Sequence, residues 1–231
     1  MQIMLANRSH QKELIDAENI PEVDLFKTLD ELDRINTLLG GYAISVKAVK
    51  EVIERQPGLR KIVDIGCGGG DTLRYLKKEL IMIDGLHFVG CDYNSTCIAY
   101  AKKKDIENEM EWITDDYKNI FKESADADII HACLFMHHLG EEEIIQFIKS
   151  TISNGKVLII NDLERNYFAY LSIKVLTKLF SRSRLVKNDA PLSVRRGFKK
   201  REWKRILMLA GAKNYTLQNR WAFRHKIVVY G

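Results

Sequence analysis

The sequence predicts a doubly wound α/β fold built on a largely parallel sheet. Apolar runs rich in β-branched residues recur without the alternation of half-exposed strands, and helical patterns separate them. Strands that alternate with helices form right-handed crossovers, which make neighbouring strands parallel. The apolar runs are KIVDIG from residue 61, HFVGCD from 87, MEWITDD from 110, ADIIHACL from 127 and KVLIINDL from 156.

Both ends of the chain depart from this alternation. Near the C-terminus, NYTLQNRW and FRHKIVVYG are joined by a short connection, which predicts an antiparallel hairpin at the sheet edge and a total of about seven strands. Residues 22–55 predict two helices, and Pro57 and Gly58 end that section. We therefore expect an N-terminal helical extension over residues 1–58 and a core domain over residues 59–231.

Composition narrows the class of protein. With 231 residues, of which 46% are hydrophobic, the chain can bury one large core. We expect neither a secretory signal nor a membrane span, because a charged start with a long apolar stretch and a run of about 18 apolar residues are both missing. The cysteines lack the close spacing of a metal site, which predicts free thiols, no metal and a cytoplasmic location.

Basic residues are concentrated between Lys178 and Arg205, where the only acidic residues are Asp189 and Glu202. Such a stretch could attract an anionic substrate, a carrier protein, a membrane surface or nucleic acid, or it could form a solvated face.

The glycine-rich segment VDIGCGGGD lies between the first strand and the first following helix. In open α/β sheets this turn is at the ligand-binding edge, where glycine lets a ligand approach the backbone. A dinucleotide fingerprint would need a third glycine at position 71, which is Asp71. A carboxylate there repels a pyrophosphate but tolerates a sulfonium and an ammonium, so the loop favours S-adenosylmethionine over a dinucleotide.

Carboxylates follow the predicted strands in a pattern that suits this ligand. Asp64 precedes the first glycine by two residues and is suited to the ammonium group. Asp92 ends the second strand, where a carboxylate can accept both ribose hydroxyls. Asp115 and Asp116 follow the third strand and could accept from the adenine amino group.

Four segments, taken in order, resemble the class I S-adenosylmethionine-dependent methyltransferases, which have a Rossmann-like fold. They are VDIGCGGG, GCDYN, WITDD and DIIHACLFMHHL. The resemblance covers about residues 60–165. It implies that Asp92 holds the ribose and that Asp116, in preference to Asp115, meets the adenine. The further cofactor contacts that it implies are Asp64, Gly66, Cys67, Gly68, Gly70, Tyr93, Cys133 and Leu134.

His137 and His138 follow the fourth strand, at the same edge of the sheet. Methylation of a hydroxyl needs removal of its proton, and histidine is suited to this because its ordinary pKa lies near neutrality. Either residue is a candidate catalytic base, although a histidine here could instead brace the loop.

An insertion over residues 164–198 follows the fifth strand, where related enzymes build a lid over the substrate. Aromatic and charged residues in it predict contacts to a small aromatic or lipid-like acceptor with an anionic part, although a buried amphipathic helix would explain the aromatic residues equally. The predicted contacts are Glu164, Arg165, Tyr167, Tyr170 and Arg196.

A narrower resemblance rests on RSHQKELIDAE, INTLLGGY, NDLERNYFAY and PLSVRRGF. These segments are similar to small-molecule methyltransferases of the ubiquinone and menaquinone type, and to those of polyketide or phenolic-lipid pathways. The resemblance implies methylation of a phenol or quinol oxygen, or of a ring carbon, with S-adenosylhomocysteine as the second product.

Two other functions stay open at this point. The basic stretch 178–205 could track RNA or another macromolecule. Enzymes that methylate amino groups of nucleic acids carry an (N/D/S)PP(Y/F) tetrapeptide after the fourth strand, where this chain has CLFMHHL, so we do not expect a nucleic-acid partner. The chain could also be a non-catalytic module that binds the cofactor, which the intact glycine loop and its carboxylates disfavour. Contact with a membrane or a carrier protein through the basic stretch also stays open.

Overall fold

The computed structural model describes residues 5–17 and 19–231. Its centre is one seven-stranded sheet. The strands are β1 (Lys61–Ile65), β2 (His87–Asp92), β3 (Glu111–Thr114), β4 (Ile129–Cys133), β5 (Val157–Leu163), β6 (Tyr215–Arg220) and β7 (Arg224–Tyr230). Their order in the sheet is β3-β2-β1-β4-β5-β7-β6. Strands β1 to β5 pair in parallel, and β7 pairs antiparallel with β5 and with β6. The predicted sheet with its C-terminal hairpin is confirmed.

Helices cover both faces of this sheet. They are α1 (Glu22–Leu38), α2 (Gly41–Arg55), α3 (Asp71–Glu79), α4 (Ser95–Lys104), α5 (Ile120–Glu123), α6 (Glu141–Ser153), α7 (Tyr167–Phe180), α8 (Arg184–Arg196) and α9 (Lys200–Leu209). Ile62 packs in the cluster that contains α2 and α3, whereas Val63 packs in the cluster that contains α6 and α9. Both side chains are fully buried, which explains why the strand reads as a continuous apolar run.

The strand order reverses at the centre of the sheet, where β1 lies between β2 and β4. The loops that leave the carboxyl ends of β1 and β4 therefore separate to opposite faces and open a crevice, which is where this type of sheet binds ligands. The glycine loop follows β1, and the loop with the two histidines follows β4.

The two predicted N-terminal helices are confirmed as α1 and α2. Residues 5–17 precede them and contact α8: the backbone N–H groups of Leu14 and Ile15 donate to the two carboxylate oxygens of Asp189, at 2.8 and 2.9 Å. Residues 1–4 and 18 of the predicted extension lie outside the described residues. The domain boundary at residue 58 and the lid roles of both added segments stay predictions.

Helices α7 and α8 make up most of the insertion after β5. Within the described residues, no helix is both long enough and apolar enough to cross a bilayer. The four cysteines are free thiols, as the sequence predicts.

Trp203 on α9 should be a major contributor to stability, because it is fully buried and packs against Phe198 with ring centroids 5.0 Å apart. We expect Trp203→Ala to reduce the free energy of unfolding by about 3–5 kcal/mol, the usual cost of deleting a buried aromatic ring. Trp221→Ala is the matched control, since that side chain is 79% exposed and its removal should cost less than about 1 kcal/mol. Urea unfolding followed by circular dichroism measures both, and equal losses would contradict the assignment.

Candidate active site

A cavity of about 710 Å³ lies at the carboxyl ends of the strands, between the glycine loop and the loop after β4. The N-terminal segment, α1, α7, α8 and the β6–β7 hairpin form its other walls. Ten of the residues predicted from the sequence line it: Asp64, Gly66, Cys67, Gly68, Asp92, Tyr93, Cys133, Leu134, His137 and His138.

The glycine loop has a backbone that other residues would strain. Gly66, Gly68 and Gly70 have φ values of +62°, +51° and +71°. A Cβ atom on Gly66 would lie 2.1 Å from Cδ2 of Phe135, so its absence is required for packing. Gly70 packs against Trp112 and does not line the described cavity, whereas Gly68 does. The first and last glycines therefore shape the loop, and Gly68 exposes its backbone to the ligand.

Asp92 is oriented by the glycine loop itself. Its Oδ2 accepts the Gly68 N–H at 2.8 Å and its Oδ1 accepts the Asn94 N–H at 2.9 Å. Burial raises the pKa of Asp92, although both backbone bonds oppose that shift. Each carboxylate oxygen keeps a second lone pair, which fits the two hydroxyls of a ribose.

Two further carboxylates line the cavity near this loop. Asp64 is 1% exposed, and its Oδ1 lies 2.7 Å from Nδ1 of His131, whose Nε2 contacts Ser45. Asp71 accepts a hydrogen bond from the Tyr42 hydroxyl, and burial raises its pKa. This acidic region is suited to an ammonium group.

Asp115 and Asp116 lie in the turn after β3. Asp115 Oδ1 accepts from the Asp116 N–H at 2.7 Å, and Asp116 Oδ1 accepts from the Lys118 N–H at 2.9 Å. Neither side chain lines the cavity in the described part of the chain. A contact with adenine therefore stays a prediction for both residues.

Both histidines lie in the 3-10 turn Met136–His138. Nδ1 of His137 is 2.7 Å from Oδ1 of Asp162, and its Nε2 is 3.5 Å from Oε1 of Glu13. Nδ1 of His138 is 3.2 Å from Oδ1 of Asp16, and its Nε2 is 3.9 Å from Oε2 of Glu13. We call the group formed by Glu13, Asp16, His137, His138 and Asp162 the histidine–carboxylate cluster.

The cluster favours a positive charge. Burial lowers the pKa of His137, but Asp162 and Glu13 outweigh that effect and raise it to about 9. In return, although burial raises the pKa of Glu13 and of Asp162, the contacts with His137 hold both below their usual range. Charge complementarity thus stabilises a buried group of ionised side chains beside the cavity.

Arg196 connects this cluster to two other segments. Its guanidinium donates to the carbonyl oxygens of His137 at 3.1 Å, His138 at 3.0 Å and Gln11 at 2.7 Å. It also lies 3.8 Å from carboxylate oxygens of Glu13 and of Asp16. Arg196 thus contacts the carboxylates of the N-terminal segment, and its predicted contact with the acceptor stays a prediction.

The other predicted acceptor contacts lie away from the cavity. Arg165 is buried and donates to the carbonyl oxygens of Leu5 and Gly197, while its Nη2 pairs with Glu202 at 2.6 Å. Glu164, Tyr167 and Tyr170 do not line the cavity within the described residues. Tyr167 and Tyr170 do not line the cavity because another face of α7 is turned towards it. That face carries Ala169, Ser172, Ile173 and Leu176.

Sequence reasoning missed the acidic half of the cluster. Asp162 lies within KVLIINDL near the carboxyl end of β5, so the strand-end argument that selected Asp92 could have found it. Glu13 and Asp16 come from an irregular N-terminal segment that carries no periodic signal, and only the fold brings them to the site.

Comparison with known proteins agrees with this geometry. Residues 62–154 match a family model described as a methyltransferase domain. The chain is 25% identical over 146 residues to a ubiquinone biosynthesis O-methyltransferase of Cronobacter sakazakii (strain ATCC BAA-894), covering 61% of this chain and 54% of that protein. A protein of the same name from Vibrio atlanticus (strain LGP32) is 22% identical over 67% of this chain and 68% of its own length. The chain thus spans about half the length of the first relative and two thirds of the second.

A similar fold occurs in the plantazolicin methyltransferase BpumL in complex with SAH. That structure has a TM-score of 0.63 and 16% sequence identity, and the match covers 91% of this chain and 96% of the other. These findings support a methyltransferase domain over residues 62–154, and the glycine loop and Asp92 agree with the class I S-adenosylmethionine-dependent methyltransferases that the sequence resembles.

Gly66→Ala should weaken binding of S-adenosylhomocysteine at least tenfold, because the new Cβ would collide with Phe135 and displace the loop. Gly155→Ala is the matched control: its φ of +64° imposes a similar backbone strain, but nothing lies within 4 Å of the added carbon. Calorimetric titration measures both affinities. Equal affinity in the two variants would contradict the role assigned to Gly66.

Proposed function

We propose that the protein transfers a methyl group from S-adenosylmethionine to an oxygen atom of a small, largely apolar aromatic acceptor. The observation that carries this proposal is a single cavity lined at one part by the glycine loop and Asp92, and at another by the histidine–carboxylate cluster. S-adenosylmethionine supplies an activated methyl carbon when it is bound. Asp92, the glycine loop and Asp64 would hold it.

The remaining walls suit an apolar acceptor. They are largely hydrophobic and come from four separate elements: Leu32, Ile35 and Leu39 in and just after α1, Ile173 and Leu176 on α7, Val186 and Val194 on α8, and Trp221 and Phe223 at the hairpin. Such walls exclude water and align an acceptor, which is most of what methyl transfer requires from the protein.

The cluster would provide the remaining requirement, which is ionisation of the acceptor hydroxyl. A hydroxyl held against it can give up its proton to a side chain or ionise beside a fixed positive charge. The names of the two relatives, which specify O-methylation, support oxygen as the atom that is methylated.

The alternative of a macromolecular acceptor has less support. Most basic residues between 178 and 205 are exposed, but the segment CLFMHHL after β4 lacks the tetrapeptide of enzymes that methylate amino groups of nucleic acids. Arg196 is buried against the cluster, and Arg205 pairs with Glu141. The cytoplasmic location expected from the sequence stays a prediction.

His138→Ala should reduce turnover of a phenol or catechol by about 10²-fold or more at neutral pH, because ionisation of the hydroxyl loses its support. The loss should shrink as the pH approaches the phenol's own pKa of about 10, where the acceptor ionises unaided. Turnover of a phenolic panel at saturating S-adenosylmethionine measures the effect.

His87→Ala is the control, since His87 is exposed at the start of β2. Cofactor affinity should be unchanged in both variants. Full activity of His138→Ala, or faster methylation of RNA than of any phenol, would count against the proposed function.

We also propose that α7 lies on an anionic lipid surface from which an apolar acceptor reaches the cavity. One face of α7 lines the cavity, while apolar side chains elsewhere on the helix and at its C-terminal end are 42–78% exposed: Phe168, Leu171, Val175, Leu179 and Phe180. The helix contains Lys174 and Lys178 and no acidic residue. An exposed apolar face with flanking lysines matches the interface of a membrane that contains anionic lipids.

Replacing Leu179 and Phe180 together by serine should reduce sedimentation with phosphatidylglycerol vesicles several-fold, because it removes two of the most exposed apolar side chains of α7. Serine at Ile81 and Met82 is the matched control, since these adjacent residues are 75% and 90% exposed but lie outside the insertion. Vesicles of phosphatidylcholine alone should bind less protein. Equal binding of all variants to the vesicles would contradict the lipid proposal. Binding of the protein to an acidic carrier protein but not to vesicles would also contradict it.

A further inference from the structure

We propose that Glu13, His137 and His138 bind a divalent transition-metal ion, with Zn²⁺ the best match, and that this ion holds the acceptor oxygen. The role toward the acceptor rests on the proposed function, whereas metal binding can be tested independently of it. The sequence predicted no metal, because the cysteines are not closely spaced and adjacent histidines on a loop rarely bind one metal ion together.

The first observation is the mutual position of the ligand atoms. One nitrogen of each histidine and one carboxylate oxygen of Glu13 all lie within 4.8 Å of one another. The two Nε2 atoms are 3.5 and 3.9 Å from the oxygens of Glu13. Ligand atoms of a tetrahedral zinc site are about 3.4 Å apart, as follows from metal–ligand bonds of about 2.0–2.1 Å. The separations, which reach up to 4.8 Å, would have to contract to about 3.4 Å for the site to close around an ion.

The second observation is that the outer ring nitrogen of each histidine contacts a carboxylate. Nδ1 of His137 is 2.7 Å from Asp162, and Nδ1 of His138 is 3.2 Å from Asp16. Metal-binding histidines use this arrangement, because the carboxylate orients the ring and makes the opposite nitrogen a better ligand. In both residues the nitrogen that remains is Nε2, which faces Glu13.

The third observation concerns Glu13 itself. This residue is 5% exposed, and its Oε1 is buried without a hydrogen-bond partner among the described residues. A buried carboxylate oxygen is costly unless a donor or a cation satisfies it. The nearest charged groups, on His137 and Arg196, lie at 3.5 and 3.8 Å, which is too far for a hydrogen bond to either.

The charges of the surroundings are compatible with a dication. Arg196 lies near the carboxylates of Glu13 and Asp16, and Arg8 interacts electrostatically with Asp162. Three carboxylates and two guanidinium groups leave one negative charge when both histidines are neutral. A divalent ion would leave one positive charge. An ionised oxygen of the acceptor would balance that charge.

The position of the cluster assigns a role to the ion. Glu13, His137 and His138 all line the cavity, so coordination positions not filled by the protein would face the acceptor. A hydroxyl bound there loses its proton to solvent more readily. Its oxygen then forms a bond to the methyl carbon while the carbon–sulfur bond breaks, and that electron pair returns to sulfur. Aromatic compounds with two adjacent hydroxyls could fill two positions at once and are the acceptor class that the site favours.

The test uses the full chain after treatment with a chelator and dialysis. Titration with ZnCl₂ in a calorimeter should show one bound ion, and Co²⁺ should give the absorption bands of a site with nitrogen ligands. Glu13→Gln and His138→Ala should each weaken Zn²⁺ binding at least about 100-fold. His87→Ala should leave it unchanged, and MgCl₂ should compete poorly because Mg²⁺ prefers oxygen ligands.

Binding of S-adenosylhomocysteine is measured on every variant, which shows that the fold is retained and separates the two proposals. A chain that binds S-adenosylhomocysteine but neither Zn²⁺ nor Co²⁺ would overturn the metal site and leave the proposed function intact. Zn²⁺ binding that survives both Glu13→Gln and His138→Ala would also overturn it, because the ion would then lie elsewhere. Metal binding without methylation of any phenol or catechol would instead count against the proposed function.

Discussion

The guanidinium of Arg196 joins three segments that are far apart in the sequence. It donates to carbonyl oxygens of the turn after β4 and of the N-terminal segment, and it belongs to α8 in the insertion. The turn and the N-terminal segment supply four of the five members of the histidine–carboxylate cluster. Because backbone carbonyls are fixed acceptors, a planar guanidinium that bonds three of them holds their relative positions closely. Arg8 reinforces this arrangement, because it donates to the carbonyl oxygens of Arg196, His137 and Leu139.

The cofactor part of the cavity is organised differently. Gly66, Gly68 and Asp92 lie within thirty residues of one another and are positioned by adjacent parallel strands. The hydrogen bond from the Gly68 N–H to Asp92 connects the two strand ends directly. This part of the site is therefore a property of the sheet alone, whereas the acceptor part is assembled from added segments. Such a division allows one cofactor site to serve different acceptors.

The apolar face of α7 and the histidine–carboxylate cluster are consistent with one kind of acceptor. An aromatic compound with a lipophilic part would partition into a membrane, pass along α7 and present its hydroxyl to the cluster. Tyr167 and Tyr170, which the sequence assigned to acceptor binding, lie on other faces of α7. Their aromatic character was recognised correctly, but the rotation of the helix about its axis was not evident from the sequence.

The sequence by itself predicted the fold, which the structure confirms, and the residues proposed to hold the cofactor. Continuous apolar strands, the glycines and the strand-end carboxylates such as Asp92 are local signals, because a parallel sheet brings consecutive strand ends to one edge. Only the tertiary structure decided which side chains line the rest of the cavity. Glu13 and Asp16 reach His137 and His138 across more than 120 positions of sequence, and no periodicity encodes contacts between an irregular segment and a turn. Packing against α8 and the hydrogen bonds of Arg196 determine that contact, so it exists only once the chain has folded.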